Sequence, residues 1–284
     1  MQRRAPAPRL ALCRRTAGTA ARSRKTPRVS RPTERFSSRV EHYVRYRPSY
    51  PSAAIVVLKT RCGLSSAAVV ADIGSGTGIL TELLLESGAQ VIGVEPNDEM
   101  RAAAEARLGA QARFRSVNGT AEATTLPPAS IDLLVAGQAF HWFDVDQARR
   151  EALRLLRSAG FAALLWNERP PEATAFLDDY EALLLRHSAE YSQIKASRAD
   201  EASMRRFLGG AMELATFPNQ QTFDFEGLKG RLMSSSYAPE PGDPQHQPMM
   251  AGLQELFGRH QHRGQVVFPY RTLVYFGQPQ VPGD

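Results

Sequence analysis

Short apolar runs alternate with amphipathic stretches between residues 67 and 166, and this rhythm predicts the architecture. Ala67 to Ile73 reads as a strand buried on both faces. Gly74, Gly76 and Gly78 then make a turn where backbone can approach a ligand closely. Ile79, Leu80, Leu83 and Leu84 recur behind it at helical spacing. A second strand, Gln90 to Glu95, ends on an acid, and Asn97 or Asp98 caps an alanine-rich helix through Arg107. Arg113 to Val117 and, after the Pro127-Pro128 turn, Ile131 to Val135 read as the third and fourth strands. Asp144 with Gln147 has the form of a capping box. Ala148, Ala152, Leu155 and Leu156 would face inward on the helix behind it. Gly160 is expected to end that helix, with Phe161 to Trp166 a fifth strand.

Upstream, residues 34–50 predict a short amphipathic helix ending at Pro48, with Phe36, Val40, Tyr43 and Val44 as its stripe. Pro51 opens a further helix to Thr60 with Ile55 and Leu58 inward, and Gly63 follows its end. Beyond Asn167 the rhythm breaks into helical segments near 172–190, 224–235 and 247–261. The β-rich run Val266 to Phe276 is expected to pair beside a strand near 211–217. The expected fold is α/β: a doubly wound, Rossmann-like, seven-stranded, mostly parallel sheet. An antiparallel C-terminal edge strand and helical insertions after residue 167 complete it.

Charge changes the picture only at one end. The net charge is +6, yet residues 1–35 hold 11 of the 35 basic side chains and one acid, Glu34. The rest carries 24 basic against 28 acidic groups, a balance of −4, and shows no basic face for nucleic acid. Residues 1–33 read as a disordered basic tail, and a transit peptide or a misplaced start would have the same composition. Residues 34–284 read as one cofactor-binding domain. No stretch approaches the ~20 apolar residues of a membrane span, so no membrane partner is expected. Cys13 and Cys62 suggest neither a disulfide framework nor a metal site. The expectation is a cytoplasmic monomer or weak homodimer, with organelle import through the tail as the alternative.

In a doubly wound sheet, ligands bind at the carboxyl ends of the strands. Glu95 stands at such an end, where a carboxylate can take ribose hydroxyls or serve the dipole of the next helix. The spacing Gly74-x-Gly76-x-Gly78 departs from G-x-G-x-x-G, which favours a nucleoside over a nicotinamide cofactor. An NAD-dependent dehydrogenase is the weaker enzyme reading.

Together, Asp72-x-Gly74-x-Gly76-x-Gly78, Glu95, Gly119-Thr120-Ala121-Glu122 and Gln138-Ala139-Phe140-His141-Trp142-Phe143 resemble class I S-adenosylmethionine-dependent methyltransferases. The nearest likeness is to the small-molecule, trans-aconitate methyltransferase-like (methyltransferase type 11) group. It spans about 34–277 and includes Arg45-Tyr46-Arg47-Pro48-Ser49-Tyr50-Pro51, Trp166-Asn167-Glu168-Arg169 and Ser234-Ser235-Ser236-Tyr237. The resemblance implies S-adenosyl-L-methionine as cofactor. It also implies that Asp72, Gly74 and Gly76 hold the methionine end, that Ser75 and Gly78 belong to the same cofactor site, and that Glu95 takes the ribose. Asn97, Met100, Ala121 and Glu122 would border the adenine, and Gln138 would face the sulfonium. Two departures from the family pattern are Arg157-Ser158-Ala159-Gly160, where a Pro-Gly-Gly turn is usual, and Pro127-Pro128, where an acid is common.

The expected partner is a small-molecule O or N acceptor, with a carboxylate among the candidates. A carboxylate is ionised at neutral pH and needs no base, whereas an alcohol or ammonium must lose a proton. His141 is therefore a candidate base or acceptor-orienting group beside Trp142, or else a histidine packed among aromatics. Tyr43, Tyr46, Arg47 and Tyr50 form either a water-excluding lid or core. Arg231 and Tyr237 are candidates for gripping a substrate carboxylate, with surface solvation as the bland reading of Arg231. His246, His260 and His262 lack metal-site spacing, and Glu172, Asp178, Asp179 and Glu181 read as a solvated helix face. A cofactor-binding regulatory protein without catalysis is the non-enzyme alternative.

Overall fold

A computed structural model describes residues 40–172, 174–192, 200–209 and 211–279. The basic tail and Phe36 lie outside the described residues. Seven strands form one sheet: β1 Val69–Ile73, β2 Gln90–Val94, β3 Phe114–Val117, β4 Ile131–Gly137, β5 Leu156–Glu168, β6 Glu213–Phe223 and β7 Val266–Gly277. Their order is β3-β2-β1-β4-β5-β7-β6. The pairs among β1 to β5 are parallel, and β7 runs antiparallel to both of its neighbours. The antiparallel C-terminal strand is thus one place inside the edge, and β6 is the outermost strand on that side. Strand order reverses between β1 and β4, so their carboxyl ends flank the crevice where such sheets bind ligands.

Nine helices surround the sheet among the described residues. They are α1 Val40–Tyr46, α2 Ser52–Arg61, α3 Ile79–Leu85, α4 Asp98–Leu108, α5 Val145–Leu155, α6 Ala175–His187, α7 Glu201–Leu208, α8 Phe225–Met233 and α9 His246–His260. None of them is long and apolar enough to cross a membrane. Two apolar clusters cover the sheet faces. One joins Ile55, Leu58 and Leu84 to Val70 and Val91, and the other joins Ala148, Ala152 and Leu155 to Ile73 and Leu134. Both follow from the apolar spacing of α2, α3 and α5. A third cluster, around Tyr180, Leu228, Leu253 and Phe268, joins α6, α8 and α9 to the protruding end of β7.

The structure revises several expected boundaries. Helix α5 stops at Leu155, and Leu156 to Gly160 continues as strand. A register irregularity separates the Ile131–Leu156 and Leu133–Phe161 pairs, so the extra residues bulge out instead of completing the helix. Asp144 caps α5 by accepting from the Gln147 amide, but the Gln147 side chain returns to the Asp144 carboxylate. The Asp144 amide donates instead to Glu122, so the box is not reciprocal. Helix α7 was not expected, although Met204, Phe207 and Leu208 bury at helical spacing. Asp179 and Glu181 do not belong to a purely solvated face: Asp179 pairs with Arg259 and His260, and Glu181 with Arg169.

Helix α1 buries no residue fully, and Val44 of its expected stripe is exposed. Tyr46 packs it on α8, with a ring so close to Gly230 that a Cβ there would overlap it. Gly230→Ala therefore has to displace the ring. The expected outcome is a loss of about 1–3 kcal/mol in denaturant unfolding, with faster hydrogen exchange through residues 40–46. Unchanged exchange there would show that Tyr46 does not hold α1.

Candidate active site

The turn after β1 is shaped by backbone geometry. Gly74, Gly76 and Gly78 all have positive φ, between 55° and 82°. The amides of Gly74 and Ser75 donate to the Val94 carbonyl, and the amide of Gly76 donates to Glu95 Oε2 at 2.9 Å. A Cβ on Gly76 would meet nothing within 4 Å, so open space lies above that residue. Gly78 differs: a Cβ there would strike Leu108 at 2.6 Å. It packs α3 against α4 and lines none of the hollows below, contrary to its expected place beside a ligand.

Three adjoining hollows open at the carboxyl end of the sheet, and Tyr43 and Gln138 line all three. The first, of about 220 Å³, is bounded by Glu95, Asn97, Met100, Ala121, Glu122 and Trp142. The second, of about 40 Å³, is bounded by Arg47, Asp72, Gly74, Ser75, Gly76 and Thr77. The third, of about 360 Å³, is walled by His141, Trp142, Trp166, Arg231, Tyr237 and Tyr270. The structure thus brings together every candidate residue named from sequence except Gly78 and Tyr46. Tyr46 packs on α8, and its neighbours Tyr43 and Arg47 reach the hollows instead. Tyr50 is buried in the core cluster and also lines the second hollow, with its hydroxyl under Gly137.

Two carboxylates sit at adjoining strand ends in unlike surroundings. Glu95 is 9% exposed. One of its oxygens accepts from Gly76, the other from the Asn97 amide at 2.9 Å. Burial pushes its protonation upward while these two amides pull it back. Asp72, 1% exposed, accepts from Thr81 Oγ1 at 2.6 Å through Oδ2, while Oδ1 has no partner. Desolvation raises its pKa from 3.8 to about 7. Thr77 Oγ1 is likewise buried without a partner. Orphaned polar atoms beside a hollow mark places where a polar ligand completes the bonding.

Gln138 joins the hollows. Its backbone is left-handed (φ 57°), its amide donates to the Leu165 carbonyl, and its side-chain nitrogen donates to the Asn167 carbonyl at 3.0 Å. His141 and Trp142 form one turn after β4, with ring centroids 4.7 Å apart. Arg231 is 8% exposed; its Nε donates to the Tyr270 hydroxyl and its Nη1 to Ser235. Its guanidinium lies 5.5 Å from the Phe268 ring centroid. Among the described residues no carboxylate pairs with Arg231, whereas Arg169 is neutralised by Glu181 at 2.5 Å. Its surroundings exclude surface solvation as the reason for Arg231. Tyr270, Met204 and Tyr191 were not anticipated from sequence. The alternation along β7 was a usable signal for Tyr270, but the other two come from segments whose docking is not local.

This order of strands, with a glycine turn after β1 and an acid after β2, defines a doubly wound α/β domain with its crevice where β1 and β4 diverge. Comparison with known proteins narrows the class. Residues 71–164 match the family model described as a methyltransferase domain. An uncharacterized methyltransferase of Mycobacterium tuberculosis is 40% identical over 134 residues, covering 47% of this chain and 52% of that protein. A yeast protein (Saccharomyces cerevisiae), described as a candidate S-adenosylmethionine-dependent methyltransferase, is 32% identical over 163 residues, 55% of this chain and 53% of its own. The chain spans about half the length of these curated relatives. Among solved structures, a candidate type II methyltransferase from Anaeromyxobacter dehalogenans superposes with a TM-score of 0.57 at 23% identity. The superposition covers 82% of this chain and 98% of that one, a likeness of fold. Residues 71–164 thus match a methyltransferase domain, and the proteins this chain is similar to include one described as dependent on S-adenosylmethionine.

The residues present fit that cofactor. Asp72 Oδ1 is an unused acceptor for an ammonium, Glu95 stands where ribose hydroxyls would donate, and Gly76 leaves room beside both. Asp72 also makes the site pH-dependent. The native protein keeps a proton on Asp72 that the unfolded chain releases near pH 4. Its contribution to stability therefore falls as pH rises from about 4 to about 7. A ligand ammonium favours the ionised form, so affinity for S-adenosylhomocysteine is expected to rise between pH 6 and 8, by less than tenfold per unit. Titration calorimetry in buffers of different ionisation enthalpy should show a proton released near pH 6.5. Asp72→Asn should flatten both dependences, and a wild-type affinity flat over that range would remove the role.

Proposed function

We propose that the protein is a methyltransferase that uses S-adenosyl-L-methionine and esterifies a carboxylate oxygen of a small organic acid. The observation that carries the acceptor class is Arg231, a buried guanidinium in the wall of the 360 Å³ cavity with no acidic partner among the described residues. A buried cation left unpaired is costly, and an acceptor carboxylate supplies the missing charge through a bidentate fork. When bound, S-adenosylmethionine supplies an activated methyl group on its sulfonium.

The chain's own residues do the positioning. Gln138 and Tyr43 stand at the junction of the cofactor and acceptor hollows, so the reacting groups meet beside them. Arg231 and Tyr237 anchor the acceptor. Trp142, Trp166 and Tyr275 wall the cavity and exclude water, which strengthens the field at the junction. An ionised carboxylate needs no general base, and His141 then serves as a wall and orienting group. An acceptor that must shed a proton is the second reading, favoured by the place of His141 on the same cavity.

Calorimetric titration of the full chain with S-adenosylhomocysteine is expected to give micromolar binding, lost in Glu95→Ala. Methyl transfer should then be screened across mono-, di- and tricarboxylic acids, alcohols and amines. Arg231→Gln is expected to lower kcat/KM for a carboxylic acid about a hundredfold, mainly through KM, and His141→Ala should leave the pH profile unchanged. Folded protein that binds no S-adenosylhomocysteine would overturn the cofactor. Turnover of amines alone, abolished in His141→Ala, would transfer the assignment to the second reading.

A further inference from the structure

The cavity of about 360 Å³ carries charges of both signs, on different walls. Arg231 of α8 reaches it alongside Arg47, and Tyr237 and Tyr270 interact with both guanidiniums. Glu168, at the end of β5, and Glu201, at the start of α7, reach it alongside Trp166 and Tyr275. Trp166 and Glu168 stand two residues apart on β5 and so share one face of the sheet. By the same alternation Tyr270, the partner of Arg231, and Tyr275, the partner of Trp166, lie on opposite faces of β7. The basic and acidic walls therefore flank the sheet from its two sides.

The acidic wall is open to a cation. Glu168 stands 4.0 Å from Arg271, beyond hydrogen-bond reach, and its side chain accepts no hydrogen bond among the described residues. Arg271 lines none of the three hollows, so the cavity meets the carboxylate and not its counter-ion. Glu201 is engaged by Arg205 at 2.6 Å and adds only to the field. The rings of Trp166 and Tyr275 meet edge to face, with centroids 5.9 Å apart. Burial raises the pKa of the Tyr275 phenol, and Glu168 and Glu201 raise it further, so this ring stands in a negative field. Aromatic rings beside a carboxylate attract a cation jointly, the rings through their quadrupoles and the acid through its charge.

A plain carboxylate would answer the basic wall and leave the acidic wall unused. A plain amine would do the reverse. Building on the carboxylate reading, we infer that the acceptor is a zwitterion, an acid that also bears an ammonium group. Arg231 grips its carboxylate, and Glu168 holds the ammonium against Trp166 and Tyr275. The ammonium is a handle, and the methylated atom remains a carboxylate oxygen. Grips on opposite walls also select for the distance between the two charges.

The test is calorimetric titration of the full chain loaded with S-adenosylhomocysteine. The probes are glycine, β-alanine, γ-aminobutyrate, δ-aminovalerate and ε-aminohexanoate, each set against the alkanoic acid of the same length. Wild-type protein is expected to bind one of these amino acids about tenfold or more tighter than its alkanoic counterpart, with the preference peaked at that length. Glu168 is part-exposed and loosely paired, so Glu168→Gln is expected to fold. It should erase the preference by weakening that amino acid about tenfold, with the alkanoic acids held within about twofold. With S-adenosylmethionine the product should be a base-labile methyl ester. Alkanoic acids that bind as tightly as their amino counterparts overturn the inference and leave the carboxylate reading standing. Equal weakening of both series in Glu168→Gln, or an N-methylated product, overturns it too. Folded, loaded protein that binds neither series overturns the carboxylate reading, and the inference with it.

Discussion

The hydrogen bond from the Gly76 amide to Glu95 ties the turn after β1 to the end of β2, and the cofactor side of the molecule is arranged around it. With the Asn97 amide on the other oxygen, both oxygens of a largely buried carboxylate are engaged by backbone. Each oxygen keeps a second lone pair, so the group can accept ribose hydroxyls without releasing the loop. Asp72 is the contrasting case. It is more deeply buried, engaged on one oxygen only, and held near neutrality by desolvation. One acid is thus engaged by backbone on both oxygens, whereas the other keeps one buried oxygen without a partner.

What could be read from the chain follows how local each feature is. The glycine turn, Glu95 and the Asn97 cap are set by neighbours in sequence, and their positions in the structure match the reading. Gly78 shows the limit of a motif. It shares the spacing of Gly74 and Gly76, yet its small size serves Leu108 of a helix some thirty residues on, which no local pattern encodes. Gly160 was misread for a similar reason: glycine commonly ends helices, but here strand pairing with β4 captures the chain four residues earlier. Glu181 stands among helix positions that look solvated, and only the fold brings Arg169 and Tyr191 to it.

The acceptor side is assembled from distant pieces. Arg47, Gln138, Asn167, Arg231 and Tyr270 reach one cavity from five segments. Asn167 is the hub that ties them: it accepts from Thr272 and Asn219 and donates to the backbone at 48–49. The family model covers 71–164, the stretch that forms the frame of the sheet from β1 into β5. The walls that choose the acceptor lie largely outside it. A single cofactor frame with separately built walls allows acceptor choice to change without disturbing the nucleoside site.

The position of β7 between β5 and β6 imposes a timetable on biosynthesis. A ribosome delivers residues 69–168 first, so the parallel half of the sheet can pair while the rest of the chain is still being made. β6 emerges next with no neighbour to pair with, because the strand that bridges it to β5 is the last of the seven. Until β7 slides in, both β5 and β6 present open ladders of amides and carbonyls, the kind of edge that recruits other chains. The nascent chain would therefore pass through a stage that has the glycine turn and Glu95 yet lacks Tyr270 and the wall it forms. In that interval a chaperone that covers the open edges would have most to contribute.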